Sequence, residues 1–331
     1  MAYYDVLLYN YRNSYLARLE RITNTHCNGI FSLADFYIAH EYWFAAVQLI
    51  LAMFGVGATL TGNDFRDVAR EPKSVTIGTL VQLVVIPLSA LLFITTLGLM
   101  GAIVVSIALL AAIPGGASSN FFTYFARGNF ALSICITAIT TLACLFSTPI
   151  ILELLVGQYM PANFVMPKLL IMREILLTLL IPLSLGMLYL HFFPKSAVHL
   201  SKWSIRGSLL GIGLIVVGSS SAGRLDIAAF GLENALTIVY LTLLFAIIGW
   251  GSGRLAGLKR ADCSAIEMEV VVRNVNLGIL IKATLFPAAA VATAALGDTV
   301  LFALLLYGAL QMLLAALLIA LGRRSTAKHH A

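Results

Sequence analysis

Long apolar runs separated by short polar segments make up most of the chain after residue 41. A helix needs roughly 20 apolar residues to cross about 30 Å of hydrocarbon, and nine runs approach or exceed that length. The predicted spans cover residues 42–61, 75–97, 99–126, 129–155, 168–193, 204–222, 231–253, 262–287 and 297–322. The pattern therefore predicts an all-α polytopic membrane protein with about nine transmembrane helices.

Polar residues interrupt the third and the eighth of these spans. The third contains Pro114-Gly115-Gly116-Ala117-Ser118-Ser119-Asn120, and the eighth contains Glu269-Val270-Val271-Val272-Arg273-Asn274-Val275-Asn276. Residues 101–113 would form a helix of only about 20 Å, too short to cross the hydrocarbon alone. Unwound backbone at this depth is tolerated only where it lines a cavity or is packed in protein. Paired broken spans in the two halves of a chain predict the binding site of a secondary transporter.

An ordinary proline kink is the alternative explanation of the first break. The three adjacent polar residues 118–120 weigh against it, because they would be costly against lipid. They are typical helix-starting residues, and a half-helix that began there would attract an anion to its N-terminus. On the next span, one helical face carries Ser133, Thr137, Thr140 and Thr141. These side chains either bond neighbouring helices or offer neutral oxygens to a dehydrated Na⁺.

The second break carries more charge than the first. Its polar residues, all within ten positions, are Glu267, Glu269, Arg273, Asn274 and Asn276. Each charge at mid-membrane costs about 2.5–3.5 kcal/mol. Glu269 and Arg273 are four residues apart, so a structural ion pair is one explanation. The functional explanation makes Glu269 a cation ligand and lets the asparagines cap a half-helix that faces an anion.

Composition and charge narrow the class of protein further. The 331 residues are 60% hydrophobic and 11% charged, against about 25% charged in soluble domains. The net charge of +6 reflects basic loops, which predict a cytoplasmic C-terminus and require no nucleic acid. An odd number of spans then leaves a basic N-terminal arm outside, unless part of residues 25–41 re-enters the membrane. Lys282 is expected to snorkel to an interface, with a role at the pathway entrance as the alternative.

Enzymatic chemistry finds no support in the sequence. The four cysteines are scattered, and no Walker, HExxH, CxxC or dinucleotide-binding motif stands in a working context. Because no nucleophile–base pair, metal cluster or phosphate loop is visible, the protein is not expected to be an enzyme, and a membrane-embedded enzyme is a remote alternative. A channel is disfavoured, because the polar residues concentrate at one depth rather than along a pore.

Three stretches resemble the bile acid:sodium symporter family, a group of Na⁺-coupled organic-anion carriers. They are Met53 to Leu60 with Asp64-Phe65, Pro114 to Asn120 with residues 123–129 and 131–133, and Glu269 to Leu277. The resemblance covers about residues 45–320. It implies inverted repeats, a panel domain and a core domain, and two discontinuous helices that cross at mid-membrane. The chain resembles the nine-span members of the family rather than the ten-span members.

The predicted organisation follows from the spans and from this resemblance. The three segments are a polar N-terminal arm at residues 1–40, a transporter domain at residues 41–322 and a cytoplasmic tail at residues 323–331. The core is expected at residues 75–155 and 231–322, less panel-side segments, and the panel at residues 42–61 and 168–222.

The resemblance also implies roles for single residues. One Na⁺ would be bound by Ser119, Asn120, Ser133, Thr137 and Glu269. A second cation site would combine Glu269 with Gln82, Val270 and Val272. The substrate anion would meet Ala117, Ser118, Asn120, Asn274, Asn276 and Gln311.

Position 273 departs from the family pattern, which usually has a glutamine that helps to bind the second Na⁺. A guanidinium has only donors and cannot bind a cation. We therefore hypothesise that the second Na⁺ site is lost and that Arg273 acts as a tethered cation, satisfying Glu269 and Gln82 instead. Coupling would then use one Na⁺ per cycle, or a proton through Glu267 or Glu269.

The leading functional prediction is a secondary active transporter that couples Na⁺ to the symport of an organic anion by alternating access. A Na⁺-independent or proton-coupled carrier is the alternative that Arg273 raises. Bile-acid-like molecules, steroid sulfates, pantoate-like acids and keto acids are all compatible substrates. The expected partners are Na⁺, the organic anion and the bilayer, with no nucleic acid and no cofactor beyond the coupling ion. The protein is expected to be a monomer in the cell (inner) membrane.

Overall fold

The computed structural model describes residues 33–61, 72–116, 118–157, 165–290 and 293–327, and helices account for most of them. The helices are α1 (Leu33–Gly57), α2 (Pro72–Thr96), α3 (Ala102–Ala112), α4 (Ser118–Phe125), α5 (Phe130–Val156), α6 (Lys168–Phe192), α7 (Pro194–Ser221), α8 (Ile227–Phe230), α9 (Leu232–Leu255), α10 (Arg260–Val271), α11 (Val275–Leu285) and α12 (Ala294–Ala327). Within these ranges the only β-type pairing is one antiparallel bridge between Gly115 and Arg273.

Seven helices are long and apolar enough, by length and composition, to cross a membrane. They are α1, α2, α5, α6, α7, α9 and α12. The third and eighth predicted spans are each divided into two shorter helices, α3 with α4 and α10 with α11. The described chain therefore makes nine passes, which confirms the predicted all-α polytopic fold.

Two helices begin earlier than the predicted spans. α1 begins at Leu33 rather than at 42, and α7 begins at Pro194 rather than at 204. Both have a mean hydropathy of 1.3, the lowest of the seven long helices. Polar residues in their N-terminal halves, such as Glu41 and Lys202, lower the hydropathy of an otherwise continuous helix. Residues 1–32 of the predicted arm lie outside the described residues.

A π-helical turn precedes a proline in both α2 and α6. Residues Val81–Val85 of α2 precede Pro87, and residues Leu176–Leu180 of α6 precede Pro182. A proline ring clashes with the carbonyl four residues back and supplies no N–H, and a wider turn accommodates both effects. The π turn of α2 includes Gln82, so it sets the direction of that buried side chain.

The order of the passes gives the fold its inverted symmetry. α2, the α3–α4 pair and α5 are followed five passes later by α9, the α10–α11 pair and α12, so the second set runs in the opposite direction. α1 packs against α6 and α7, whereas α9 packs against α10 and α12. The broken helices lie inside the bundle, and every residue of α3 after Ala102 is buried.

Two main-chain hydrogen bonds join the broken helices where they cross. The Gly116 N–H donates to the Val272 carbonyl at 2.7 Å, and the Asn274 N–H donates to the Pro114 carbonyl at 2.9 Å. A Cβ atom on Gly116 would lie 2.9 Å from the Arg273 carbonyl oxygen, so this approach requires glycine. The unwound backbone is thus paired and surrounded by protein, as a position at mid-membrane requires.

Candidate functional site

Two half-helices begin at the crossing and direct their N-termini toward the middle of the protein. α4 begins at Ser118, and α11 begins at Val275. The Asn274 side chain caps α11, because its Oδ1 accepts from the Leu277 N–H at 3.3 Å. Helix N-termini carry a partial positive charge and favour anions. The crossing therefore has two positions suited to a negatively charged group.

Glu269 lies at the crossing and has no solvent-exposed surface. Its Oε1 accepts hydrogen bonds from the hydroxyls of Ser119, of Ser133 at 2.6 Å and of Thr137 at 2.8 Å. Its Oε2 accepts a hydrogen bond from Gln82 Nε2 at 3.2 Å. Side chains from α2, α4 and α5 therefore converge on one carboxylate of α10.

The oxygens around Glu269 outnumber the protons between them. Ser133 Oγ lies 2.8 Å and Thr137 Oγ1 lies 3.2 Å from Asn120 Oδ1, in addition to their contacts with Glu269. Each hydroxyl has one proton, whereas amide and carboxylate oxygens only accept. Two protons thus serve four close oxygen–oxygen contacts, and the remaining lone pairs favour a hard cation. No group of three or more His, Cys, Asp and Glu side chains occurs in the described ranges, so the cluster differs from a transition-metal site.

Gln82 connects this carboxylate to the first break. Its Oε1 accepts from the Gly115 N–H at 2.8 Å, while its Nε2 donates to Glu269. Arg273 Nη1 lies 3.4 Å from the same Oε1. Arg273 therefore contacts Gln82, as the tethered-cation hypothesis expects, and reaches Glu269 only through that amide.

The Arg273 guanidinium is buried and binds main-chain carbonyls. It donates to the carbonyl oxygens of Leu110 at 3.1 Å, Ala111 at 2.9 Å and Ile113 at 2.6 Å. These oxygens belong to the C-terminal end of α3, where carbonyls lack helical partners and carry the negative end of the helix dipole. A direct Glu269–Arg273 ion pair is not among the salt bridges of the described residues. The two side chains are therefore not in direct contact, and they are linked through Gln82.

Three of the other predicted residues belong to the backbone framework of the second break. The Val272 carbonyl accepts from the Gly116 N–H, and Val270 is fully buried. Gln311 Oε1 on α12 accepts from the Arg273 N–H at 2.9 Å. Gln311 thus satisfies an unwound N–H of the break and does not line the cavity beside it.

Some of the residues predicted to contact the substrate at the starts of the half-helices lie outside the observed site. Ser118 and Asn276 are partly buried and do not line the cavity beside the crossing. Ala117 lies outside the described residues. On α5, Thr140 bonds the Ile136 carbonyl of its own helix at 2.8 Å, whereas Thr141 faces the cavity. The hydroxyls of the predicted α5 face therefore divide between the carboxylate, the helix and the cavity.

Two charged residues near the second break face away from the Glu269 cluster. Lys282 has no exposed surface, and its Nζ lies 2.6 Å from Glu41 Oε1. The prediction that Lys282 snorkels to an interface is therefore wrong, because a carboxylate on α1 holds the ammonium inside the protein. Glu267 is mostly buried and lies 3.9 Å from Arg254 Nη1, on the side of α9.

Two polar contributors to this region were not predicted. Thr123 Oγ1 lies 3.2 Å from Ser133 Oγ, so α4 adds a further hydroxyl beside the cluster. Its position three residues after Asn120, on the same helical face, was the available signal. Asp262 accepts from Ser74 Oγ at 2.9 Å and from Asn129 Nδ2 at 2.8 Å, which ties the start of α10 to α2 and α5. Its place beside a basic loop gave no indication of burial.

A cavity lies beside the crossing, between α1, α5 and α6. Its polar lining residues are Gly115, Asn120, Thr137, Thr141 and Asn274. Its apolar lining residues are Met53, Val56, Leu60, Ile134, Ala138 and Leu183. The polar residues come from the breaks and α5, and the apolar residues come from α1, the segment after it, α5 and α6. The cavity wall is therefore polar at the breaks and apolar where α1, the residues after it and α6 contribute.

Nine passes, two broken helices that cross inside the bundle and a buried oxygen cluster at the crossing are the architecture of a secondary transporter. The profile of the Sodium Bile acid symporter family matches residues 46–224, more than half of the chain. The chain belongs to this family. Its predicted family resemblance is confirmed by this match.

Relatives with similar sequences occur in bacteria, plants and mammals. The chain is 31% identical over 252 residues to the "Uncharacterized sodium-dependent transporter YocS" of Bacillus subtilis, covering 76% of this chain and 77% of the relative. It is 30% identical to the "Probable sodium/metabolite cotransporter BASS1, chloroplastic" of Oryza sativa, over 72% of this chain and 58% of the relative. It is 28% identical to the "Ileal sodium/bile acid cotransporter" of Cricetulus griseus, over 70% of this chain and 66% of the relative. The matched region thus spans less than two thirds of the plant and hamster proteins.

Proposed function

We propose that the protein is a Na⁺-coupled symporter that moves an organic anion across the membrane by alternating access. The observation that carries the proposal is the buried cluster of acceptor oxygens around Glu269, at the point where two broken helices cross. A fully buried carboxylate needs a compensating charge, and Na⁺ supplies one without a proton. The names of the similar proteins, which describe sodium-dependent transport, support the same function.

The Na⁺ site would consist of Glu269, Ser119, Asn120, Ser133 and Thr137. These residues come from α4, α5 and α10, so one ion would draw together both broken helices and their neighbour. Binding of Na⁺ would fix the first break in the conformation that presents the α4 N-terminus. The affinity for an anion at that terminus would rise as a result, which is the thermodynamic basis of coupling.

The substrate would bind beside the crossing, where the structure has a cavity of about 20 Å³, so the surrounding helices would have to separate to admit an organic anion. Asn120, Asn274 and the two half-helix N-termini would receive its anionic group, and the wall from α1 and α6 would contact an apolar body. This arrangement suits an amphipathic anion. Bile-acid-like molecules and steroid sulfates fit that description, and pantoate-like and keto acids would use mainly the polar wall.

Arg273 favours a stoichiometry of one Na⁺ per transport cycle. Its guanidinium already engages Gln82 and three carbonyl oxygens, so it would hold permanently the positive charge that a second Na⁺ would bring. A proton-coupled or Na⁺-independent carrier is the second candidate, because a fixed cation also reduces the need for a coupling ion. Counting the bound ions separates these candidates.

Alternating access would arise from movement between two groups of helices. α1, α6 and α7 would form the panel, and the broken helices with α2, α5, α9 and α12 would form the core. We propose a cytoplasmic C-terminus, because Lys259 and Arg260 stand where α9 passes into α10, and a location in the cell membrane. We propose a monomer, because each chain contains both broken helices of the site.

The experiment that tests this function is uptake into proteoliposomes. A radiolabelled bile acid and a radiolabelled small hydroxy acid serve as probes, after a thermal-shift screen of organic acids with and without Na⁺ has ranked their classes. An inward Na⁺ gradient is expected to drive saturable accumulation of a probe above its external concentration, and an equal K⁺ gradient is not. Uptake that proceeds equally in K⁺, or that does not saturate, would refute Na⁺-coupled transport.

A further inference from the structure

Four charged side chains meet inside the protein at a place remote from the Glu269 cluster. Glu41 belongs to α1, Arg224 to the segment after α7, Lys282 to α11 and Asp298 to the first turns of α12. Glu41 and Arg224 are each 3% exposed, and Lys282 has no exposed surface. Such a concentration of buried charge in a membrane protein marks a functional position more often than a structural one.

Both carboxylate oxygens of Glu41 accept hydrogen bonds within this charge cluster. Its Oε1 accepts from Lys282 Nζ at 2.6 Å and from Arg224 Nη1 at 2.7 Å, and its Oε2 accepts from the Ala288 N–H at 2.9 Å. Arg224 Nε donates in turn to Asp298 Oδ1 at 2.5 Å. Two cations and two carboxylates balance, so the cluster is neutral as a unit.

Stability alone is a weak reason for such a cluster. Removing ions from water costs several kcal/mol for each ion, and apolar residues of similar volume are often as stabilising as a buried ion pair. What a charge cluster provides instead is two distinct states. In one state the side chains are in contact and shielded from water. In the other state they are separated and solvated by water.

The cluster joins the group of helices containing α1 to the group containing the crossing. Glu41 is a residue of α1, whereas Lys282 lies eight positions after Asn274 on α11, about 12 Å along the helix from the crossing. Successive passes alternate in direction, so the start of α1, the segment after α7 and the end of α11 all lie at one end of the bundle. The basic segment between α9 and α10 lies at the opposite end.

The substrate cavity lies toward the other end of α1. Its lining includes Met53, Val56 and Leu60, which follow Glu41 by three turns or more. The crossing thus has a cavity on the side of the basic loops and a closed set of ion pairs on the other side. The cavity is only about 20 Å³, so the site is closed to an organic anion in this structure, and the ion pairs hold the end opposite the basic loops.

We propose that Glu41, Lys282 and Arg224 form an ionic latch that closes the substrate pathway on the side opposite the basic loops. The latch has to open before the site can be reached from that side. The inference rests on the proposed transport function, because only alternating access requires the two groups of helices to separate there. It adds gating residues to that function and is independent of the identity of the substrate.

The test measures from which side the cavity can be reached. Thr141→Cys, placed in a variant whose four native cysteines are replaced by serine, supplies a reporter in the cavity lining. A membrane-impermeant thiol reagent is applied to sealed vesicles of known orientation, from one face or the other. The double substitution Glu41→Gln with Lys282→Met removes the ionic contacts of Glu41, through which α1 takes part in the latch. Arg224 keeps its carboxylate partner Asp298, so no buried charge is left unpaired and the protein is expected to fold. Glu41→Gln with Lys282→Gln, which keeps two polar side chains of similar size and leaves no charge unpaired, is the second variant.

Removing the latch is expected to change the two labelling rates in opposite directions. Labelling from the latch side should rise about tenfold, and labelling from the basic-loop side should fall, because the population shifts toward the state open on the latch side. Lys168→Met is the matched control, since it removes an exposed ion pair with Glu153 at the same end of the bundle, and it should change neither rate. Unchanged rates, or rates that rise from both sides together as in a loosened protein, would overturn the latch. Failure of the transport function would show separately, as an absence of Na⁺-driven uptake in the wild type.

Discussion

At the scale of single residues, the Glu269 carboxylate determines what its neighbours do. It is fully buried, and three hydroxyls and one amide are directed at it. The same hydroxyls of Ser133 and Thr137 also reach Asn120 Oδ1, so the cluster has more acceptors than protons. A bound cation would remove this mismatch, and each hydroxyl would then act as a ligand.

Thr137→Val tests this role of a hydroxyl at constant side-chain shape. Interactions of hydrogen-bonding groups with charged partners are worth about 1.5–3 kcal/mol, so the Na⁺ concentration for half-maximal thermal stabilisation should rise about tenfold or more. Thr140→Val is the matched control on the same helix, because the Thr140 hydroxyl bonds only carbonyls of α5. Equal Na⁺ dependence in both variants would show that the α5 hydroxyls bind no ion.

At the scale of elements, the crossing depends on how closely two unwound segments approach. The two segments exchange main-chain hydrogen bonds at 2.7 and 2.9 Å, and Gly116 leaves no room for a Cβ atom beside the Arg273 carbonyl. The breaks therefore act as one unit, in which each supplies hydrogen-bond partners that the other has lost.

Gly116→Ala should separate the two segments by a few tenths of an ångström. The variant is expected to lower the thermal unfolding temperature and to abolish stabilisation by Na⁺, because Ser119 and Glu269 lie on opposite sides of this contact. Gly213→Ala provides the control, since a Cβ atom there meets no atom within 4 Å. That helical alanine should leave stability unchanged or raise it by up to about 1 kcal/mol. A Gly116→Ala protein that retains full Na⁺ stabilisation would contradict the account of the crossing.

The breaks themselves were predictable, whereas several features around them were not. The three polar residues after Pro114-Gly115-Gly116 favoured a half-helix over a simple proline kink, and the asparagines of the second break favoured a capped half-helix there; α4 begins at Ser118 and α11 at Val275. The early start of α1 was hidden because Glu41 lowers the local hydropathy, and the burial of Glu41 depends on Lys282 and Arg224, far away in sequence. Such pairs are fixed by tertiary packing, which the periodicity of one helix does not contain.

At the scale of the whole molecule, buried charged residues lie at two depths. Glu269 and Arg273 lie at the crossing, and the Glu41 cluster lies nearer the end opposite the basic loops. The inverted order of the two repeats brings both breaks to one depth, and it also brings a C-terminal helix end beside each N-terminal one. Arg273 uses this geometry, because its guanidinium donates to the C-terminal carbonyls of α3 and carries a charge opposite to the dipole of that helix end.

Arg273→Gln should change the number of Na⁺ ions that the protein binds. Loss of the guanidinium frees Gln82 and the α3 carbonyls as neutral oxygen ligands, so a second Na⁺ is expected to replace the lost charge. Equilibrium binding of radioactive Na⁺ to purified protein should give one ion per chain in the wild type and two in the variant. Arg254→Gln, which removes an exposed arginine on α9, should keep the wild-type number. Two ions in the wild type would contradict the tethered-cation account.

The central claim is that Na⁺ binds at the crossing through Glu269, and calorimetric titration of Na⁺ into the purified protein tests it most directly. Glu269→Gln preserves the size of the side chain and removes its charge, whereas Glu267→Gln makes the same change two residues earlier, on the side facing α9. The wild type and Glu267→Gln should bind Na⁺ with a measurable heat that K⁺ does not reproduce, and Glu269→Gln should give none. Binding of Na⁺ to Glu269→Gln with wild-type affinity would contradict the claim.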